Sequence, residues 1–275
     1  MAIVCTICKK SEFLTLRDDL LKMYYCTPCN HEFTVIKENQ NTIYSEDYYT
    51  QQHANWFNNP NYWLFEFIYS NIVKLLKKDE FKLLDVGCGK GDLLKFIKDH
   101  NSKIKLFGID ISGNYHPGIE FIRGDFLEEE INIKFDAICS LATIEHVFDV
   151  DTLVKKMEDL LLPEGFLVLM TVNANGILYE VAKILKKVGI NKPFYRLYDL
   201  HHVNHFTGYS LRKLMENKGF DIIVQKKHNY SVRAVDLPKA NFIMKIIYTL
   251  GVRIFFSLPG RFGILQTVIC KRKKR

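Results

Sequence analysis

Short apolar runs alternate with amphipathic segments along most of the chain. Lys82–Val86 (KLLDV), Lys105–Ile111 (KLFGIDI) and Phe166–Val172 (FLVLMTV) have the length and apolar character of strands buried inside a parallel sheet. Asp151–Leu162, by contrast, repeats its apolar residues at the spacing of an amphipathic helix. This alternation predicts an α/β fold, in which helices cover both faces of a mostly parallel sheet.

Four shorter segments complete the predicted sheet, which then has seven strands. They are Ile119–Ile122, Phe135–Ser140, Asp221–Gln225 and Gly263–Cys270. Pro163–Gly165 is expected to form a turn before the strand that starts at Phe166, and Ser210–Lys218 is expected to form a capped helix. In a sheet of this kind, ligands bind outside the carboxyl ends of the strands.

A glycine-rich turn links the first of these strands to the helix that follows it. Gly87, Gly89 and Gly91 allow a tight turn and leave no Cβ between the backbone and a ligand, while the N–H groups of the next helix face the same point. A dinucleotide-binding G-x-G-x-x-G turn would require glycine at position 92, where the chain has Asp92. The turn therefore predicts a cofactor site of a different kind.

The spacing D-x-G-x-G-x-G, which starts at Asp85, resembles the first motif of class I S-adenosylmethionine-dependent methyltransferases. The resemblance covers roughly residues 45–272 and implies a Rossmann-like sheet with S-adenosylmethionine as cofactor. Asp110 would bind the ribose hydroxyls, Asp125 and Phe126 would hold the adenine, and Asp85 would either orient the methionine end or only fix the turn. The implied cofactor-binding residues are Asp85, Gly87, Gly89, Gly91, Asp110, Ile111, Asp125, Phe126, Ser140 and Leu141.

Histidines supply the candidate catalytic bases. Leu141–Val147 (LATIEHV) resembles the "EH" segment of a large subgroup that methylates small molecules, and residues 202–207 (HVNHFT) resemble the "HxxHFT" segment of the same family. An oxygen or nitrogen acceptor must lose a proton during transfer, and histidine suits that task at neutral pH. The candidates are His146, His201, His202 and His205. His146 could equally shape its loop, and a metal-assisted mechanism through Glu145 and these histidines lacks the spacing of a recognised metal site.

Two Cys-x-x-Cys pairs mark the amino terminus. Cys5 and Cys8 are separated from Cys26 and Cys29 by 17 residues that contain a polar turn near Arg17–Asp19. This spacing predicts a zinc ribbon with four cysteine ligands and a hairpin between the two pairs. Four thiolates leave no open coordination position, so the zinc would be structural. A redox pair would need only one Cys-x-x-Cys. The lack of an apolar leader segment favours reduced cysteines and a cytoplasmic protein.

Positive charge is concentrated at the carboxyl terminus. The chain has 38 Lys and Arg and 31 Asp and Glu, for a formal charge of +7, but no acidic residue follows Asp236. A broad RNA-binding face would spread its cations over the catalytic domain, so nucleic acid is the less favoured partner. The uneven distribution points instead to a special role for the tail.

Two apolar segments with interspersed cations are expected to contribute to an acceptor lid. One lies around Ile177–Val188 and the other around Phe242–Phe256, within lid segments of about 174–209 and 229–262. They either pack as a lid or a homodimer interface, or rest on an anionic membrane and admit a lipid-linked acceptor. The aromatic segment Tyr44–Trp63 could close over the cofactor or pack in the core.

The sequence thus predicts a zinc ribbon at 1–38 followed by a methyltransferase domain at 39–275. The expected reaction is methylation, with oxygen the favoured acceptor atom, of a small molecule, a sugar or a lipid-linked intermediate. Two alternatives stay open. One is an RNA methyltransferase that uses the ribbon to bind RNA, and the other is a scaffold that binds S-adenosylmethionine without catalysis.

Overall fold

The structure is a computed structural model, and it describes residues 2–35, 58–112, 116–199, 201–235, 242–258 and 260–273. Two sheets organise these residues. The smaller sheet contains β1 (Leu14–Asp18), β2 (Met23–Cys26), β3 (His31–Thr34) and β9 (Asn204–His205). The larger sheet contains β4 (Lys82–Val86), β5 (Lys105–Asp110), β6 (Glu120–Arg123), β7 (Phe135–Leu141), β8 (Leu161–Val172), β10 (Phe220–His228) and β11 (Leu265–Arg272).

The larger sheet has seven strands in the order β10-β11-β8-β7-β4-β5-β6, which confirms the predicted mostly parallel sheet. Strands β8, β7, β4, β5 and β6 run parallel, whereas β11 is antiparallel to both of its neighbours. Val172 at the end of β8 pairs with Leu265 at the start of β11, and Leu265 pairs with His228 at the end of β10. The ends of β4, β5, β7, β8 and β10 therefore lie along one edge, which we call the binding edge.

Seven helices are described along the chain. They are α1 (Tyr62–Leu76), α2 (Asp92–His100), α3 (Val150–Leu160), α4 (Ile177–Lys187), α5 (Lys192–Leu197), α6 (Gly208–Asn217) and α7 (Phe242–Ser257). The expected cap of α6 is present, because the Thr207 hydroxyl accepts from the backbone N–H of Ser210 while the Ser210 hydroxyl accepts from that of Thr207. Such reciprocal capping fixes where α6 begins.

Alternate residues of the central strands enter two separate cores. Leu84 of β4 packs in the core that contains α3 and α6, whereas its neighbour Leu83 packs in the core that contains α1 and α2. Both side chains are fully buried. This is the two-residue period of a strand covered on both faces, and it explains why these strands are apolar throughout.

The amino-terminal ribbon packs against the rest of the protein. Strand β3 pairs antiparallel with β9, so that Phe33 lies opposite Asn204. Met23 of the ribbon also packs in a small core with Tyr179 and Tyr198, which belong to the segment predicted as a lid. The predicted boundary between residues 38 and 39 lies outside the described residues, as does the part of the aromatic segment before residue 58.

Two predicted boundaries differ from the structure. The ribbon hairpin is present, but its turn falls at residues 19–22, slightly after the predicted position. Strand β8 begins at Leu161 and not at Phe166, because Leu161 pairs with Phe135 and the register then shifts before Phe166 pairs with Ala137. The Pro163–Gly165 segment is therefore an irregularity within the strand, as proline and glycine in a strand often indicate.

Candidate active site

The glycine turn stands at the binding edge, between β4 and α2. Gly87, Gly89 and Gly91 all have positive φ angles, of 71°, 52° and 71°. These are left-handed conformations that other residues adopt only at a cost. A Cβ on Gly87 would lie 2.3 Å from Oγ1 of Thr143, so the turn touches the loop that follows β7. The predicted cofactor turn and the predicted "EH" segment are thus neighbours.

Two carboxylates are buried beside this turn. Asp110 accepts a 2.8 Å hydrogen bond from the Gly89 backbone N–H at Oδ2 and a second from the Ser112 backbone N–H at Oδ1. The Ser112 hydroxyl also donates to Oδ1, so three of the roughly four acceptor positions of the carboxylate are occupied and one stays for a ribose hydroxyl. Asp85 is buried, and its Oδ1 has no hydrogen-bond partner among the described residues. Burial, together with the negative charge of Asp110, raises the pKa of Asp85 well above its usual value.

The remaining predicted cofactor residues lie along the same edge of the sheet. Ser140 is fully buried at the end of β7, and Ile111 is half exposed after β5. Phe126 lies in the core, with the Lys156 ammonium 5.2 Å from its ring centre. Asp125 is exposed, and its Oδ1 accepts from the backbone N–H of Leu127. Their roles toward a cofactor stay predictions.

The "EH" segment forms a short 3-10 helix, Ile144–His146, directly after β7. Glu145 is 1% exposed, and burial raises its pKa to about 7. Nδ1 of His146 lies 2.8 Å from the backbone carbonyl of His201. Because a carbonyl can only accept, Nδ1 carries the proton and donates it, which leaves the lone pair of His146 on Nε2.

The structure separates the later histidines into two environments. The ring of His202 lies 4.8 Å from that of His146, centre to centre, and both rings are partly exposed. Nε2 of His201 lies 3.7 Å from the Asp199 carboxylate. His205, however, is fully buried in β9, and burial lowers its pKa to about 3. Contrary to the expectation that it could face an acceptor, His205 lies between the ribbon and the larger domain, against the ring of Tyr198.

Asn204 has a connecting role that the sequence did not predict. Its side chain is fully buried, and Oδ1 accepts from the Thr6 hydroxyl at 2.9 Å and lies 3.1 Å from Nε2 of His31. Its Nδ2 donates to the carbonyl of Val147 at 2.7 Å. Asn204 therefore joins the ribbon to the end of the "EH" segment. The sequence offers one signal for this role, since Asn204 is an amide side chain within an otherwise histidine-rich and apolar segment.

A cleft of about 650 Å³ opens further along the binding edge, beside β10. Trp63 at the start of α1, Tyr230 after β10 and Phe256 of α7 contribute aromatic walls. His228 contributes its imidazole, 5.5 Å from the Trp63 ring centre. The cleft thus combines apolar surface with a few polar groups, as small-molecule sites do. Its lining includes part of the predicted 229–262 lid.

The four ribbon cysteines meet at one point. Their sulfur atoms all lie within 4.8 Å of one another, and those of Cys8 and Cys26 are 3.7 Å apart. Burial raises the pKa of the Cys5 thiol to about 12 and also raises that of Cys29. Zinc binds thiolates, so an ion at this point would have to displace the thiol protons, and its own charge would favour that displacement. The donor set is suited to a tetrahedral zinc ion.

Two lysines of α4, among the interspersed cations of the predicted lid, pair with acids of the ribbon. Lys183 lies 2.8 Å from Glu32, and Lys186 pairs with Asp18, whose carboxylate is 5% exposed. The pairing lowers the pKa of Asp18 against the opposing effect of burial. These ion pairs reinforce the contact between ribbon and lid segment. Because these two lysines of α4 pair with acids, α7 carries most of the positive charge that was predicted to face a membrane.

Curated relatives share part of this chain. It is 31% identical over 126 residues to malonyl-acyl-carrier-protein O-methyltransferase from Calditerrivibrio nitroreducens, covering 44% of this chain and 51% of that protein. It is 28% identical over 113 residues to ubiquinone biosynthesis O-methyltransferase from Leptothrix cholodnii, covering 36% and 47%. The chain thus spans about half the length of these relatives.

Solved structures share the fold more completely. The plantazolicin methyltransferase BpumL, solved in complex with S-adenosylhomocysteine, superposes with a TM-score of 0.56 at 16% identity, covering 86% of this chain and 93% of that one. The family described as "Methyltransferase domain" matches residues 61–225, which is more than half of the chain. The chain therefore belongs to this methyltransferase domain family, and the predicted resemblance to class I S-adenosylmethionine-dependent methyltransferases is confirmed.

Proposed function

We propose that this protein is an S-adenosylmethionine-dependent methyltransferase that methylates an oxygen of a small or lipid-linked acceptor. The observation that carries the proposal is the contact between the glycine turn and the "EH" loop, beside an Asp85 carboxylate oxygen that has no hydrogen-bond partner in the described part of the chain. The family match and the O-methyltransferase names of its curated relatives support both the reaction and the acceptor atom.

The residues at the turn fit the proposed cofactor. Asp85 has a buried oxygen without a partner among the described residues, and an ammonium group or its water would satisfy that oxygen. Asp110 stands at the end of β5, where it would hold a ribose hydroxyl. The cofactor supplies an electrophilic methyl carbon on a sulfonium. The chain's residues would position it, and positioning supplies much of the rate for an in-line displacement.

His146 and His202 are the residues that we propose lie near the acceptor proton. They follow β7 and precede β9, and the 3-10 helix that carries His146 begins one residue after Thr143, which touches the glycine turn. As the acceptor oxygen formed its bond to the methyl carbon, the carbon–sulfur bond would break and S-adenosylhomocysteine would leave with the electron pair. The acceptor proton would pass to a neighbouring group. His205 takes no part in this step because its ring is buried at the ribbon contact.

We further propose that zinc bound by Cys5, Cys8, Cys26 and Cys29 has a structural role. A module this small does not bury enough apolar surface to fold unaided, and zinc ligation supplies the missing free energy. The folded ribbon then pairs β3 with β9 and, through Asn204, holds the segment that carries His201 and His202. On this proposal the zinc stabilises the ribbon and takes no direct part in methyl transfer.

The surface of α7 supports an apolar, lipid-linked acceptor. Ile247, Leu250 and Ile254 are each more than half exposed, and the cations Lys245 and Arg253 are exposed on the same helix. Apolar side chains flanked by cations suit an anionic membrane surface. Among the described residues, no helix has the length and apolar character that crossing a membrane requires. Phe256 of the same helix lines the cleft, so an acceptor held at a membrane could reach it.

The deciding experiment is calorimetric titration of zinc-replete protein with S-adenosylhomocysteine. We expect micromolar binding that Asp110→Ala weakens at least tenfold. Asp221→Asn, an exposed acid at the opposite edge of the sheet, is the matched control and should bind normally. A folded protein that does not bind S-adenosylhomocysteine would refute the proposal. Binding without turnover of any lipid, small-molecule or RNA fraction would favour the scaffold alternative.

The membrane part has its own test. Vesicles containing phosphatidylserine should sediment the protein, and Ile247→Glu should reduce the bound fraction several-fold. Ile223→Glu introduces the same charge at an exposed apolar position on β10 and serves as the control. If the protein stays in solution with such vesicles, the lipid-linked acceptor is rejected and a small-molecule acceptor is retained. Tight, salt-dependent binding of RNA would instead favour the RNA alternative.

A further inference from the structure

We propose that Glu145, His146 and His202 bind a divalent first-row transition metal ion that holds and activates the acceptor oxygen. The inference rests on the proposed function and extends it to the chemistry of the acceptor. One carboxylate oxygen and one nitrogen from each ring all lie within 4.8 Å of one another. Two imidazoles and one carboxylate are a donor set that zinc, manganese and iron accept in catalytic sites.

The orientation of His146 favours metal binding. Its Nδ1 donates to the carbonyl of His201, which fixes the ring and leaves the lone pair on Nε2. A backbone carbonyl that accepts from the second ring nitrogen is the usual partner of a metal-binding histidine, since it fixes the tautomer and raises the basicity of the ligand. The hydrogen bond to the carbonyl of His201 therefore fixes the tautomer and the ring of His146, as such hydrogen bonds do for histidine ligands in metal sites.

Glu145 provides the second, independent observation. It is 1% exposed, and its Oε2 has no hydrogen-bond partner among the described residues. A buried carboxylate oxygen left in this state costs free energy, and a cation bound to it would remove that cost. The same carboxylate belongs to the cluster with the two imidazoles, so the buried oxygen that a cation would stabilise lies beside the other two ligands.

The backbone holds the two loops that carry these ligands in register. The N–H of Val203 donates to the carbonyl of Glu145 at 2.8 Å, and the Asn204 side chain donates to the carbonyl of Val147. Glu145 and His202, which are far apart in the sequence, are thereby kept together before any ion binds. This pairing explains why the sequence spacing gave no recognisable metal motif.

The position of the cluster indicates what the ion would do. Three protein ligands leave coordination positions open, which is the arrangement of catalytic and not of structural sites. An acceptor hydroxyl bound there would lose its proton to water more readily, as zinc lowers the pKa of bound water from about 16 to about 7. The resulting oxyanion would form the new bond to the methyl carbon. The acceptor class is then a hydroxyl or enol that can coordinate a cation, and the imidazoles serve as ligands.

The test uses full-length protein whose four-cysteine site is filled with zinc, titrated with Mn²⁺ and followed by electron paramagnetic resonance of the free ion. Mn²⁺ prefers oxygen and nitrogen donors, so it should leave the thiolate site alone. We expect one Mn²⁺ per chain. Glu145→Gln and His202→Gln should each weaken binding more than tenfold. Glu66→Gln is the matched control, because Glu66 lies 4.0 Å from His100 in an exposed carboxylate–imidazole pair outside the cluster.

A second measurement protects the test against misfolded variants. In wild-type protein, Mn²⁺ should broaden the imidazole NMR signals of His146 and His202 and leave that of His100 sharp. The absence of Mn²⁺ binding, or binding that Glu145→Gln leaves unchanged, overturns the inference. Titration of the same samples with S-adenosylhomocysteine separates the two proposals. Cofactor binding without Mn²⁺ binding rejects the metal site alone, and Mn²⁺ binding without cofactor binding rejects the proposed function alone.

Discussion

Replacing Gly87 with alanine tests the contact between the cofactor turn and the "EH" loop. The φ angle of Gly87 is 71°, and this conformation costs an L-residue about 1–2 kcal/mol. The new Cβ would also lie 2.3 Å from Oγ1 and 2.9 Å from Cγ2 of Thr143. The Thr143 side chain must then move and give up its hydrogen bonds to the carbonyls of Val86 and Leu141, at about 1 kcal/mol. We expect Gly87→Ala to lower the free energy of unfolding by about 2–3 kcal/mol.

Gly189 offers a matched control for backbone strain. Its φ angle is 89°, and an added Cβ would meet no atom within 4 Å. Gly189→Ala should therefore lower the free energy of unfolding by about 1–2 kcal/mol through strain alone and leave affinity for S-adenosylhomocysteine unchanged. Urea unfolding gives the first quantity and calorimetry gives the second. Gly87→Ala should weaken the ligand at least tenfold because the turn must shift.

A compensating substitution sharpens the test. Thr143→Ala removes both atoms closest to the new Cβ and leaves only its own Cβ, at 3.1 Å. The double variant should therefore be about 1 kcal/mol more stable than the sum of the two single effects, as expected for residues in contact. Additive effects would refute the reasoning. So would a Gly87→Ala variant that is no less stable than Gly189→Ala and binds S-adenosylhomocysteine normally.

Three further predictions concern the ribbon and the cleft. If the four cysteines bind zinc as proposed, Cys26→Ser should remove a large part of the roughly 10 kcal/mol that the ion would contribute to the ribbon. Limited proteolysis should then cut the amino terminus of the variant, and a chelator should have no added effect. Asn204→Ala should lower the free energy of unfolding by about 2–4 kcal/mol, measured in urea, because it removes the hydrogen bonds to Thr6 and His31 and leaves the carbonyl of Val147 without the Asn204 donor. A loss below about 0.5 kcal/mol would contradict this role. Burial lowers the pKa of His228 to about 4, so the unfolded chain binds the proton first, and stability present above about pH 6.5 should fall by up to about 3 kcal/mol as the pH approaches 4. Burial also lowers the pKa of His31 to about 4 and that of His205 to about 3, so these residues add their own losses over the same range. His228→Gln should therefore remove the His228 share and make the profile less steep, and an unchanged profile would show that His228 does not contribute.

Local patterns predicted most of the fold. The strand segments around the glycine turn are apolar over their whole length, because helices cover both faces of the sheet. Neither face of these strands contacts water, so polar and apolar residues do not alternate along them. The turn itself was predictable for a related reason, since three left-handed backbone positions demand glycine at fixed spacing. The Cys-x-x-Cys pairs likewise place their thiols close together whatever the rest of the chain does. Strand β8 was less predictable, since Pro163–Gly165 forms a turn in most contexts but here lies within a strand.

The sequence by itself therefore determined the strand segments, the cofactor turn and the two cysteine pairs, because each is recognised from residues that are close in the chain. Only the tertiary structure decided which polar groups meet across long separations. It placed His205 under the ribbon and His202 beside His146, although both belong to one short segment, because His205 lies in β9, which pairs with β3, whereas His202 lies in the turn before that strand. It also paired Lys183 with Glu32, so charges that looked free in the sequence stabilise an interface. Contacts of this kind depend on how separate elements pack, and no local pattern of residue types encodes them.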